Sequence, residues 1–210
     1  MAERALEFWR LALRERTSLL DELAKSPLGT QLMLLADLVV ETMMADGKVL
    51  LFGNGGSAAA AQHAAAELVG RYERERKALP AIAMTTDTSI LTAVANDYGY
   101  DRVFERQIES LARPGDLAIA FSTSGRSENV VRGLRAAKRR GAKTAALLGQ
   151  GASPARRLAD IALIVPATRV PLIQEAHELI MHVLCEEIDR RLGRPRGRQR
   201  AQPDHRRLGS

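Results

Sequence analysis

Five short apolar runs alternate with longer segments of helical spacing, and this alternation constrains the fold more than any other feature. The runs are Val49–Phe52, Ala81–Met84, Leu117–Phe121, Thr144–Leu148 and Ile161–Val165. Each has the length of a strand. Helical patterns separate them at Ala58–Arg71, Ser89–Ala112, Ser127–Arg140 and Pro154–Leu158, and a last one runs from about Pro171 to Leu192. Near-continuous apolar strands bounded by helices imply a parallel sheet buried on both faces. The expected fold is α/β, a three-layer αβα sandwich with a five-stranded parallel sheet.

Residues 1–46 read differently. Leu6, Trp9, Leu13, Leu19, Leu20 and Leu23 recur near helical spacing, and so do Leu32, Leu35, Leu38, Val39 and Met43. Ser26-Pro27 and Gly29 punctuate them, giving two helices and a turn. A chain of 210 residues suits one domain, expected over 1–192 with this helical segment at its start. Residues 193–210 hold six arginines against one aspartate, so +5 of the net +6 lies there and the body is nearly neutral. With Pro195, Pro203, three glycines and only Leu208 as a large apolar residue, this stretch reads as a disordered basic tail. A nucleic-acid partner is therefore not expected from charge alone. No apolar run reaches the length of a membrane span, and the start of the chain does not read as a secretory signal. Cys185 is the only cysteine, which points to the reducing cytoplasm and to a packing role on its helix.

Parallel sheets bind ligands beyond the carboxyl ends of their strands. The polar loops there carry the candidate chemistry. After the third strand comes Ser122-Thr123-Ser124-Gly125-Arg126-Ser127, four hydroxyls around one glycine at the start of a helix. Free amide hydrogens and a positive dipole end suit phosphate, and the hydroxyls add donors. The simpler alternative is that Ser127 caps its helix. After the first strand comes Gly53-Asn54-Gly55-Gly56-Ser57, which lacks both Gly-x-Gly-x-x-Gly and the Lys-Ser/Thr of a nucleotide loop. Its glycines permit close backbone approach to a ligand or simply a tight turn. His63 and Glu67 stand four apart among alanines, on one helix face. Such a pair can bind a metal, shuttle protons or only stabilise the helix. In the last helix, Gln174, His177, Glu178 and His182 are all candidates, and spacing alone does not say which of them face a site.

Taken in order, Gly53-Asn54-Gly55-Gly56-Ser57, His63-x-x-x-Glu67, Ala95-Asn96-Asp97, Ser122-Thr123-Ser124-Gly125-x-Ser127 and Ile173-Gln174-Glu175-x-His177 with His182 resemble the phosphoheptose isomerases of the sugar isomerase (SIS) fold family. The resemblance covers about residues 30–192, and the basic tail is not part of it. It implies a flavodoxin-like sheet and a cytoplasmic homotetramer with sites between subunits. The implied reaction converts sedoheptulose 7-phosphate into D-glycero-D-manno-heptose 7-phosphate for nucleotide-activated heptose synthesis. It further implies zinc at His63, Glu67, Gln174 and His182. Sugar-phosphate contacts would fall to Asn54, Gly55, Gly56, Ser57, Glu67, Asn96, Asp97, Ser122, Thr123, Ser124, Ser127 and Gln174. Glu67 is the candidate carbon base and His182 the candidate shuttle for oxygen-bound protons. A metal-bound carboxylate is a weaker base, so the two roles of Glu67 compete. One rival reading is a non-catalytic tetramer of the same fold that binds the bacterial replication initiator. Another is a sugar-phosphate-sensing regulator, which usually carries an added DNA-binding domain.

Overall fold

The computed structural model describes residues 2–193, so the basic tail expected at 193–210 lies, apart from Gly193, outside the described residues. Two helices open the chain, α1 (Ala2–Lys25) and α2 (Leu28–Met44). Ser26 sets the bend between them: its hydroxyl donates to the Leu23 carbonyl at 2.8 Å and accepts from the Leu28 amide at 3.3 Å. Pro27 follows, where a missing amide hydrogen costs a new helix nothing.

Then strands and helices alternate as β1 (Val49–Gly53), α3 (Gly56–Val69), β2 (Ala81–Ala83), α4 (Thr88–Tyr98), α5 (Val103–Leu111), β3 (Leu117–Ser122), α6 (Glu128–Arg139), β4 (Lys143–Leu148), α7 (Pro154–Leu158), β5 (Ile161–Ile164) and α8 (Val170–Leu192). All five strands are parallel, in the order β2-β1-β3-β4-β5. Every residue of β1 and β3 is buried, as a strand covered on both faces requires. Side chains alternate between two cores. Val49, Leu51, Ile119, Phe121 and Leu147 pack with α2, α3 and α8 on one face. Leu50, Phe52, Ala118, Ala120 and Leu148 pack with α5 and α6 on the other. Phe52 and Phe104 lend bulk to the second core, with 5.3 Å between their ring centroids. The three-layer α/β sandwich is thus as expected.

One expected element divides. The helical pattern over Ser89–Ala112 is α4, a 3-10 turn at Tyr100–Arg102, and α5. Gly99 makes the break: its φ is +92°, which a side chain rarely adopts, and an added Cβ would meet Asp101 Oδ1 at 2.7 Å. Among the described residues, no single helix is long and apolar enough to cross a membrane.

Candidate active site at the switch point of the sheet

From β1 the chain moves to β2 on one side, and from β3 to β4 on the other. The crevice between β1 and β3 is therefore the topological switch point, where such sheets bind ligands. Gly53–Ser57 leaves β1 there, and Ser122–Ser127 leaves β3 beside it.

The two loops are tied together. Asn54 and Asn129 exchange reciprocal amide hydrogen bonds, each 2.9 Å, and the Tyr100 hydroxyl donates to Asn54 Oδ1 at 3.1 Å. Asn54 is thus engaged within the chain. Asn129 and Tyr100 were not anticipated. Asn129 could have been found by its place just past the serine loop, whereas nothing local marks Tyr100.

The glycines of the first loop have individual reasons. Gly55 has φ +55°. A Cβ on Gly53 would meet the Phe121 carbonyl oxygen at 2.8 Å, and one on Gly56 would meet Gln174 Nε2 at 2.5 Å. So Gly56 is the seat of Gln174, and the close approach it permits is to α8. In the second loop Ser122 Oγ accepts from the Gly125 amide at 3.0 Å, and Ser124 Oγ accepts from the Arg126 amide at 3.2 Å. These two hydroxyls shape the loop. Ser127 stands at the N-cap position of α6 with no side-chain capping bond, so the capping alternative does not hold.

Helices α3 and α8 run side by side, matched along their length. Gly56 meets Gln174 at one end. In the middle, His63 Nε2 is 3.2 Å from Glu67 Oε1, and its Nδ1 is 3.0 Å from Glu178 Oε2. The His182 ring lies edge-on to His63, with 5.0 Å between centroids, and stacks on Tyr72 at 5.6 Å. His63, Glu178 and His182 bring ligand atoms within 4.8 Å of one another, a group that could hold a metal ion. Two imidazoles and nearby carboxylates are a donor set suited to zinc. Glu178, which spacing alone left open, therefore faces the cluster.

At the far end a buried ion pair fixes the two helices. Arg76 Nε donates to Asp189 Oδ1 at 2.7 Å, with both side chains 1% exposed. Arg76 also donates to the carbonyls of Glu67 and Leu68, at 2.6 and 2.8 Å, closing the last turn of α3. Asp189 Oδ2 accepts from the Glu73 and Arg74 amides, each at 2.7 Å. Burial alone would raise the Asp189 pKa, but the Arg74 amide and the Arg76 guanidinium hold it below the usual carboxylate value.

His177 points elsewhere. It is 1% exposed, edge-on to Phe121, with neither ring nitrogen hydrogen-bonded. Burial lowers its pKa to about 4, opposed by the Leu148 backbone, so the imidazole is neutral. Cys185 is buried and its thiol is pushed up to about 12, which suits packing and not nucleophilic chemistry. Asn96 and Asp97 are exposed on α4 and bond each other at 2.8 Å. Among the described residues no hydrogen bond joins them to either loop.

Comparison with known proteins agrees with this fold. The SIS domain family model matches residues 13–149. A phosphoheptose isomerase of Aliarcobacter butzleri is 56% identical over 155 residues, which is 74% of this chain and 82% of that protein. One from Aquifex aeolicus is 56% identical over 152 residues, 72% of this chain and 80% of its own length. The solved structure of phosphoheptose isomerase GmhA from Neisseria gonorrhoeae superposes with a TM-score of 0.83 at 40% identity, covering 89% of this chain and 99% of that one. The replication-initiator reading finds no support in these relatives.

Proposed function

The chain belongs to the SIS domain family and, within it, to the phosphoheptose isomerases, and from that premise we propose how its residues work. It is an aldose–ketose isomerase that converts sedoheptulose 7-phosphate into D-glycero-D-manno-heptose 7-phosphate, feeding nucleotide-activated heptose biosynthesis. The observation that carries the mechanism is the gathering of Glu67, His63 and His182 where α3 and α8 run side by side.

The reaction moves a proton from C1 of the ketose to C2 through an enediol. Glu67 takes the C1 proton and returns it to C2. His182 moves the proton between the two oxygens, its ring held in place by Tyr72. The Ser122–Ser127 loop and the start of α6 hold the phosphate, with the Thr123 and Ser127 hydroxyls as donors and the loop amides behind them. Asn54, Gly55, Gly56, Ser57 and Gln174 line the sugar side, and Asn96 and Asp97 complete the contacts. Zinc would be held by His63, Glu67, Gln174 and His182 and would supply positive charge for the oxygen that becomes negative, with Glu67 serving as ligand or as base but not both at once. Four copies of this chain form the working enzyme, in the cytoplasm, with sites between subunits. Residues 1–192 act as one unit, and the basic tail is dispensable for turnover.

The test is turnover of sedoheptulose 7-phosphate by purified protein. Glu67→Gln and His182→Gln are each expected to lower kcat by about 10²–10⁴-fold. Chelation should abolish activity and added zinc restore it. A Glu67→Gln variant at full rate would remove Glu67 from the chemistry.

A further inference from the structure

The His63 ring faces a carboxylate at each nitrogen, Glu67 at Nε2 and Glu178 at Nδ1, at 3.2 and 3.0 Å. A neutral imidazole carries one N–H and can donate to only one of them, whereas an imidazolium could donate to both but has no lone pair for a metal. A cation between Nε2 and Glu67 resolves this, because the Nε2 lone pair and the Glu67 oxygen both turn to the ion. Nδ1 then keeps its hydrogen, and Glu178 is the group that accepts it. We propose that Glu178 is the positioning residue for His63: it accepts the Nδ1 hydrogen, fixes the ring and presents the Nε2 lone pair to the metal.

The placement of Glu178 supports this role. Gln174, Glu178 and His182 are spaced by four on α8, so they form one stripe facing α3. Glu178 sits in the middle of that stripe, opposite His63. A carboxylate behind a metal-bound imidazole orients the ring and raises its donor strength. Here the carboxylate comes from a different helix than the imidazole, so the bond also sets how α3 and α8 meet at the site. Glu67, on the same helix as His63, cannot serve this purpose if it binds the ion itself.

This inference rests on the metal reading above, and the experiment separates the two. The full chain is titrated with cobalt(II), whose visible absorption reports the ligand set, in competition with a chromogenic chelator. The Glu178 side chain is 37% exposed, so its replacement should leave the fold intact, checked by the melting temperature. Glu178→Ala is expected to weaken cobalt binding about 10–100-fold with unchanged band positions. Glu178→Gln, whose amide oxygen can still accept the Nδ1 hydrogen, should lose less. Unchanged affinity in Glu178→Ala would overturn the proposal. Shifted bands would overturn it too, by making Glu178 itself a ligand in the group with His63 and His182. A wild type that binds no cobalt would overturn the metal reading, and this inference with it.

Discussion

At Gly56 an added methyl would collide with the flexible end of Gln174, whereas at Gly53 it would collide with the Phe121 carbonyl. The two glycines should therefore fail differently. Gly56→Ala is expected to fold with little loss of melting temperature while displacing Gln174 and cutting turnover. Gly53→Ala should unfold at clearly lower temperature, since backbone cannot move aside. Melting curves beside initial rates separate them. His177 makes a second prediction. Its folded-state pKa of about 4 lies below the ordinary 6.5, so the unfolded chain binds the extra proton. The stability it contributes is complete above about pH 6.5 and is lost as pH falls toward 4. His177→Phe should flatten the fall in melting temperature between pH 6.5 and 4.5, and an unchanged slope would contradict this. At this scale the sequence was readable where a one-dimensional rule applied. His63 and Glu67 share a helix face by spacing, as their 3.2 Å contact bears out. The Asn54–Asn129–Tyr100 contacts were not readable, because they join three segments whose approach only the sheet order sets.

Between elements, the α3–α8 pairing decides whether the site exists. Spacing within each helix was legible, but their mutual register was not, so Glu178 stayed one of four candidates. The register is held at Gly56–Gln174 and at the Arg76–Asp189 pair, which also grips the Glu67 carbonyl. Removing one partner of a fully buried pair typically costs about 3–5 kcal/mol. Arg76→Met and Asp189→Leu should each show that loss in urea unfolding, and the double variant should recover much of it as an apolar contact. Full additivity of the two losses would argue against a coupled pair. The division of α4 from α5 had its signal in Gly99, an isolated glycine in a helical pattern, outweighed by the periodicity on either side.

For the whole molecule, the alternation of strand and helix was enough to fix the layers and the sheet, since a parallel strand needs cover on both faces. The tetramer proposed above needs surfaces where copies meet, and α1 offers exposed apolar side chains. Phe8 is 74% exposed and Trp9 59%, with Leu6 and Leu11 beside them. A second copy covering Leu6 and Trp9, which stand one turn apart, would account for their exposure in the proposed tetramer. Light scattering should give about four times the 22.9 kDa chain mass, and Leu6→Glu with Trp9→Glu should lower it. An unchanged mass would place the interface elsewhere. The central claim, proton transfer through an enediol by this chain, is tested most directly by incubating the purified protein with sedoheptulose 7-phosphate in deuterium oxide. An aldoheptose 7-phosphate is expected, with deuterium at C2 to the extent that the proton on Glu67 exchanges with solvent before it is returned. No aldose from folded and zinc-supplied protein would contradict it.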